Sequence, residues 1–232
     1  MKVRSRHPIH MGINFVMSPL PVINPQSYLR FQEALVSCSV DFTNAVRIEE
    51  KQENRIEVIR GGPTPLQVVV IASVLQPIGQ LLIIATPEPG RPLKYFVQEA
   101  EQVVEAFQTT WPAPQRQIVK KDVALRDLYE ASSDHAFREL WEIQLGQSSD
   151  SLSAFGRPVL GGGLRFVMPP EEGESAQVEV KIESFLKDTS KVFVEVQFVW
   201  PSPEQSLDPR GPLTEADDFI TNQVYSFMGG EQ

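Results

Sequence analysis

The chain has 232 residues, 41% of them hydrophobic, and a formal net charge of -9, which suits one large domain or two small ones and excludes general disorder. Its longest apolar run, residues 68–75, is interrupted by Ser73 and followed by Gln76-Pro77, far too short to span a bilayer. The charge is uneven: residues 1–115 carry ten basic and ten acidic side chains and residues 116–232 carry eleven and twenty, a balance that repels phosphate backbones and argues against nucleic acid as a partner.

The basic segment 1–7 is followed by no apolar stretch, so no signal peptide is expected. Cys38 is the one cysteine, which excludes an internal disulfide. It reads as a small core residue, and a cytoplasmic protein is the simplest expectation. Residues 9–16 form an opening strand with Ile9, Met11, Ile13 and Phe15 on one face. Asn24-Pro25 starts a helix, with Tyr28, Phe31 and Leu35 as its stripe. Strands follow at 45–50, 55–60, 66–75 and 80–86, the third β-branched and buried on both faces. A helix over 93–109 carries Phe96, Ala100, Val103, Val104 and Phe107 inward, and Trp111-Pro112-Ala113-Pro114 closes the first half.

The second half repeats the order. Residues 117–125 read as a weaker strand; Ser132-Ser133-Asp134 start a helix with Phe137, Leu140, Trp141 and Leu145 as its stripe. Residues 155–168 read as two short strands with Gly161-Gly162-Gly163 as a turn or bulge between them, and 169–174 as an acidic hairpin tip. Residues 177–185 alternate strictly, as do 192–200, where Val192, Val194, Val196, Phe198 and Trp200 share one face. A proline-rich loop spans 201–212. Thr214-x-x-Asp217 resembles a capping box, and the last helix turns Phe219, Ile220, Val224 and Phe227 inward before Gly229-Gly230.

The expected fold is α+β: two repeats of strand-helix-strands-helix, 1–112 and 113–232, forming one curved antiparallel sheet of about eight to ten strands with helices packed on one face. Joining the repeats hides one sheet edge of each. This order resembles the duplicated TATA-binding-protein-like fold and, less closely, single-copy helix-grip folds; the resemblance concerns topology and carries no function. The stretch Gly163-Leu164-Arg165-Phe166-Val167-Met168-Pro169-Pro170, then Val178 to Asp188, is similar to the C-terminal half of a sporadically distributed bacterial family of about this length with no established activity. Its members share a Leu-Arg-hydrophobic strand, a proline hairpin, a strand ending Glu-hydrophobic-hydrophobic-Lys-Asp and a terminal helix with aromatic residues. The match covers about a third of the chain, not its N-terminal third; it implies a shared architecture of unknown role and brings no catalytic residues with it.

No catalytic constellation is legible, so an enzyme is not the leading expectation. His7-x-x-His10 lacks further ligands nearby, and no metal is expected. His135 beside Asp134 lacks a nucleophile. The glycine triplet lacks the Gly-Lys-Ser/Thr ending of a phosphate loop and leads into a strand. The candidate ligand or partner contacts are Arg165 and the polar sheet face of Glu179, Lys181, Glu183 and Glu195, which would serve for acid–base work or as a solvated ladder of ion pairs. Trp111, Trp141, Trp200 and Phe193 are core residues or the lining of a small cavity. The leading reading is a non-catalytic protein that binds another protein through the loops at 169–175 and 201–212; the alternative is a small-ligand binder with an apolar cavity between helices and sheet. No cofactor is implied.

Overall fold

The computed structural model of the chain describes residues 2–73, 75–87, 91–171, 176–201 and 206–229. In chain order its elements are β1 (Arg4–Ser18), α1 (Pro25–Ser37), β2 (Asn44–Glu49), β3 (Glu53–Arg60), β4 (Leu66–Ser73), β5 (Gly79–Ala85), α2 (Leu93–Thr110), β6 (Gln117–Glu130), α3 (Ala136–Arg138), β7 (Gly163–Met168), β8 (Gln177–Ser184), β9 (Lys191–Trp200), α4 (Arg210–Phe219) and α5 (Tyr225–Phe227). π-helical turns continue α3 through Glu139–Gln144 and join α4 to α5 through Ile220–Val224, and a 3-10 helix covers Ser149–Phe155. The nine strands make one large curved sheet in the order β2-β3-β4-β5-β1-β6-β9-β8-β7. Among the described residues no helix is long and apolar enough to cross a membrane.

The two longest strands, β1 and β6, pair at the centre, with Met11 opposite Leu125 and Ile13 opposite Val123. Alternation puts Met11, Ile13, Phe15 and Met17 of β1 in the core together with Leu81 and Ile83 of β5 and Val192, Val194 and Val196 of β9. The buried sides of α1, α2 and α4 belong to the same cluster, through Phe31, Phe96, Phe107 and Leu213, so one face of the sheet meets the helices. Asn24 and Ser27 cap α1 reciprocally, each accepting the other's backbone N–H at 2.9 Å. Trp111 seals the end of α2: its ring lies 5.2 Å from Phe31 and 5.1 Å from Phe107, and its Nε1 donates to the carbonyl of Val22 at 2.9 Å.

A polar knot lies on this face where β1, β6 and α4 meet. Arg6 Nε donates to Asp127 Oδ2 at 2.8 Å, and its Nη1 reaches Asp217 Oδ1 at 2.6 Å and Thr221 at 3.2 Å. Asp127 is 1% exposed, and neither its second oxygen nor the Tyr129 hydroxyl has a hydrogen-bond partner. Burial pushes the Asp127 carboxyl up, and Arg6 opposes the rise.

Several expectations need correction. The strands expected at 9–16 and 117–125 extend to Arg4–Ser18 and Gln117–Glu130, because register shifts at Arg4/Arg6 and Pro8/His10 and the charged Asp127 at a buried position interrupt the apolar alternation at those ends. Residues 155–168 hold one strand, not two: Phe155 ends the 3-10 helix and only Gly163–Met168 pairs. The helix expected near Phe137 is one α-turn widened into a π-turn, which leaves Leu145 exposed. Thr214 starts no helix, since α4 begins at Arg210; Asp208 supplies the cap, accepting the N–H of Arg210 at 2.9 Å and of Gly211 at 3.2 Å. Gly229 ends the last helix at φ 71 as expected, while Gly230 lies outside the described residues.

Candidate functional site

The second face of the sheet differs between its two sides. On the first, Val46, Ile48, Ile71, Leu82 and Ile84 are half-buried. On the second, register brings charges together, with Arg165 opposite Lys181, Lys181 opposite Glu195, and Glu195 opposite Arg126. The ladder is continuous. Arg165 Nη2 donates to Glu179 Oε2 at 2.8 Å; Lys181 Nζ lies 3.4 Å from Glu179 Oε1 and 2.6 Å from Glu195 Oε1; Arg126 Nε donates to the other oxygen of Glu195.

Four of the five residues singled out from the sequence are therefore joined: Arg165, Glu179, Lys181 and Glu195. Glu183 is not. It stands exposed opposite Gly163 and Phe193, two positions along the strand from Lys181. Arg126 is the member missed, because β6 was expected to end before it; its place in an alternating polar row was the available signal. His10 faces Arg126 across β1 and β6, and burial, then the Arg126 charge, hold its imidazole below its ordinary value.

The ladder's electrostatics favour permanent charge. The hydrogen bond from Arg165 holds Glu179 below the usual carboxylate range. Burial works against ionisation of Glu195, but the hydrogen bonds from Lys181 and Arg126 outweigh it and hold this carboxyl low as well. A general acid at neutral pH needs the opposite shift, so the ladder reads as a cross-strand brace. Glu195→Gln is expected to lower stability by about 1 kcal/mol at low salt and by less at high salt. Because the folded-state value is depressed, the stabilisation is present above the unfolded carboxylate range and lost as pH falls through the folded value. Urea unfolding at two salt concentrations and two pH values checks this; a salt-independent loss would contradict it.

The glycine triplet marks a close approach rather than a turn. A Cβ on Gly161 would lie 2.6 Å from Ser184 Oγ, on Gly162 2.8 Å from the Phe137 ring, and on Gly163 2.3 Å from the Ile182 carbonyl. Gly162 N–H donates to Ser184 Oγ at 3.1 Å and its carbonyl accepts the Ser184 N–H at 3.0 Å. The triplet thus lays β7 tightly along β8.

β7 is the last strand of the sheet, and among the described residues no strand pairs with its outer edge. Phe166 is 39% and Val167 53% exposed. Leu164, Phe166 and Met168 extend the row of Ile182, Val180 and Val178 on the helix face. The end of the last helix stands above them: Phe227, 42% exposed, meets Phe166 edge-on with ring centres 5.5 Å apart. Between strand and helix lies a cavity of about 450 Å³, lined by Phe166, Met168, Val180, Ile182, Val224 and Phe227 among others. A second cavity of about 820 Å³ adjoins it, sharing Met168, Phe219 and Gln223, and reaches Glu171, Glu215 and Asp218. Together they form a groove along the last helix, apolar at one end and acidic at the other.

The remaining candidates stand apart from this groove. Trp200 is buried and stacks on Phe198 at 5.4 Å. Trp141 donates to the Ser148 carbonyl at 3.0 Å, beside a cavity of about 700 Å³ that also touches His135 and Arg157. The His135 imidazole accepts the backbone N–H of Arg138 at 3.4 Å. His7 lies 3.8 Å from Glu130, and no metal-ligating cluster occurs among the described residues. Of the two loops expected to make contacts, residues 172–175 and 202–205 lie outside the described residues. Comparison with protein-family models gives no match, and comparison with curated proteins gives none.

Proposed function

We propose that this protein acts by binding another protein, and that the contact is made at β7 and the groove beneath the last helix. The observation that supports this reading is the uncovered edge strand, with Phe166, Val167 and Phe227 exposed along an open groove. An edge strand offers unpaired backbone N–H and C=O groups, and natural sheets usually blunt such edges; an exposed apolar patch beside one marks an interaction surface. The whole net charge of the chain sits in this same half. The small-ligand reading draws on the 450 Å³ apolar cavity between helix and sheet, but that cavity opens along the strand edge and continues into the second one, a shape suited to a chain segment.

The reading includes the duplicated, TATA-binding-protein-like architecture. It draws on the central β1·β6 pair and on the inner strands β5, β4, β3 and β9, β8, β7 that follow outward on either side; in the second half Ser149–Phe155 forms a 3-10 helix and no described strand takes the outer place that β2 holds in the first. Kinship with the bacterial family that shares the Leu164-Arg165 strand and the Glu183-to-Asp188 segment belongs to the same proposal. So does a cytoplasmic setting, for which the unpaired Cys38 is the support.

The experiment is a comparison of surface variants. Phe227→Asp is expected to lose at least ~90% of a cross-linked protein partner captured by the wild type, because an exposed apolar anchor is removed. Tyr95→Asp, on the equally exposed surface of α2, is expected to retain it. Equal capture by both variants would refute the proposed site.

A further inference from the structure

The groove's polarity says what kind of segment fills it. We infer that the bound segment of the partner is an extended strand that adds antiparallel to β7, with alternating large apolar side chains preceded by lysine or arginine; this rests on the protein-binding reading above. All eight strand pairings in the sheet are antiparallel, and an added strand continues the pattern. Every second side chain of such a strand falls on the helix face, beside Leu164, Phe166 and Met168 and against Phe227 and Val224. That fixes the apolar alternation.

The basic residues follow from the charges at the Met168 end. Glu171, Glu215 and Asp218 line the adjoining cavity there, with Arg210 as the one cation in its wall among the described residues. Arg210 is already committed: its Nε and Nη2 donate to the two oxygens of Glu101, each at 2.7 Å. Glu171 and Asp218 are exposed and have no ion pair among the described residues. At the other end Arg165 is occupied by Glu179, so among the described residues no uncommitted cation of the groove balances Glu171 and Asp218. An antiparallel strand enters past Met168 and leaves past Gly163, which places its basic residues before its apolar ones.

The test is selection of random twelve-residue peptides on the wild-type protein, on Phe227→Asp and on the charge-reversed double variant Glu171→Lys/Asp218→Lys. Both acidic side chains are on the surface, so the double variant keeps its fold. The wild type is expected to enrich peptides with Lys or Arg ahead of alternating apolar residues. The synthetic consensus peptide is expected to bind the double variant roughly tenfold more weakly, with most of that difference removed at 0.5 M NaCl. Apolar peptides without a basic bias that still fail on Phe227→Asp would overturn the inference and leave the protein-binding reading standing. No enrichment that depends on Phe227 would overturn both. Wild-type protein that sediments as a dimer, converted to monomer by Phe227→Asp, would show that a second copy occupies the edge instead.

Discussion

Arg6→Met is expected to destabilise the protein by about 3–5 kcal/mol at neutral pH, the cost of leaving a buried charge without its partner. Asp127 is almost wholly enclosed, with Arg6 at 2.8 Å as its one ion-pair partner among the described residues, while Asp217 and the Tyr129 hydroxyl stand nearby. Removal of Arg6 leaves Asp127 among groups that disfavour its ionisation, and its pKa rises further than burial already takes it. A carboxyl whose folded pKa is raised holds a proton where the unfolded chain has lost it, so its contribution is most favourable below the unfolded value and declines as pH rises through the folded one. The deficit of Arg6→Met should therefore shrink on acidification from pH 7.5 to pH 5. Urea denaturation at both values reads this directly, and a pH-independent deficit would contradict it. The double replacement Arg6→Met/Asp127→Leu, which removes both charges, is expected to recover most of the loss. The knot also holds α4 and the π-turn after it to the central strands through Asp217 and Thr221, so the same variant should loosen the helix that roofs the binding groove.

Gly163→Val is expected to detach β7 and abolish partner binding. A Cβ at this position would stand 2.3 Å from the Ile182 carbonyl and 2.7 Å from the Glu183 Cα; these are backbone atoms that cannot rotate aside, so the strand itself must shift. Overpacking of this kind costs about 3 kcal/mol. The larger effect is functional, because the displaced strand no longer presents Phe166 to Phe227. Hydrogen exchange should show protection lost at residues 164–168 and kept in β9, and binding should fall more than about tenfold. Gly61→Ala is the control: nothing lies within 4 Å of a Cβ there, and its stability should stay within about 0.5 kcal/mol of wild type. Normal binding by Gly163→Val would show that β7 is not the contact strand.

The ionic ladder and the groove differ in how visible they are before folding. Alternation in 177–185 and 192–200 was strong enough to place Glu179, Lys181 and Glu195 on one polar face; Arg165 stood out only as the cation after the glycine triplet, and pairing with β8 joins it to that face. Glu183 satisfied the same alternation and yet lies apart, since sharing a face does not set which cross-strand neighbour a side chain meets; register does. Arg126 escaped because the buried position that follows it is Asp127, which breaks the apolar alternation of Val123 and Leu125 and ends the expected strand too early. The groove had no sequence signature at all. Phe219 and Phe227 read as core residues and Phe166 and Met168 only as members of a strand, and their assembly at the sheet edge leaves Phe166 and Phe227 open.

By itself the sequence determined the start of α1 at Asn24-Pro25, the strand alternation, the uneven charge and the α+β class, because these depend on periodicity and on residues within one or two turns of one another. Tertiary structure alone decided that β1 and β6 lie at the centre, that Asp127 is buried against Arg6, and that β7 is left at the edge beneath the last helix. Those outcomes depend on contacts between residues more than a hundred positions apart, or on which strand lacks a neighbour, and no local pattern of side chains encodes them.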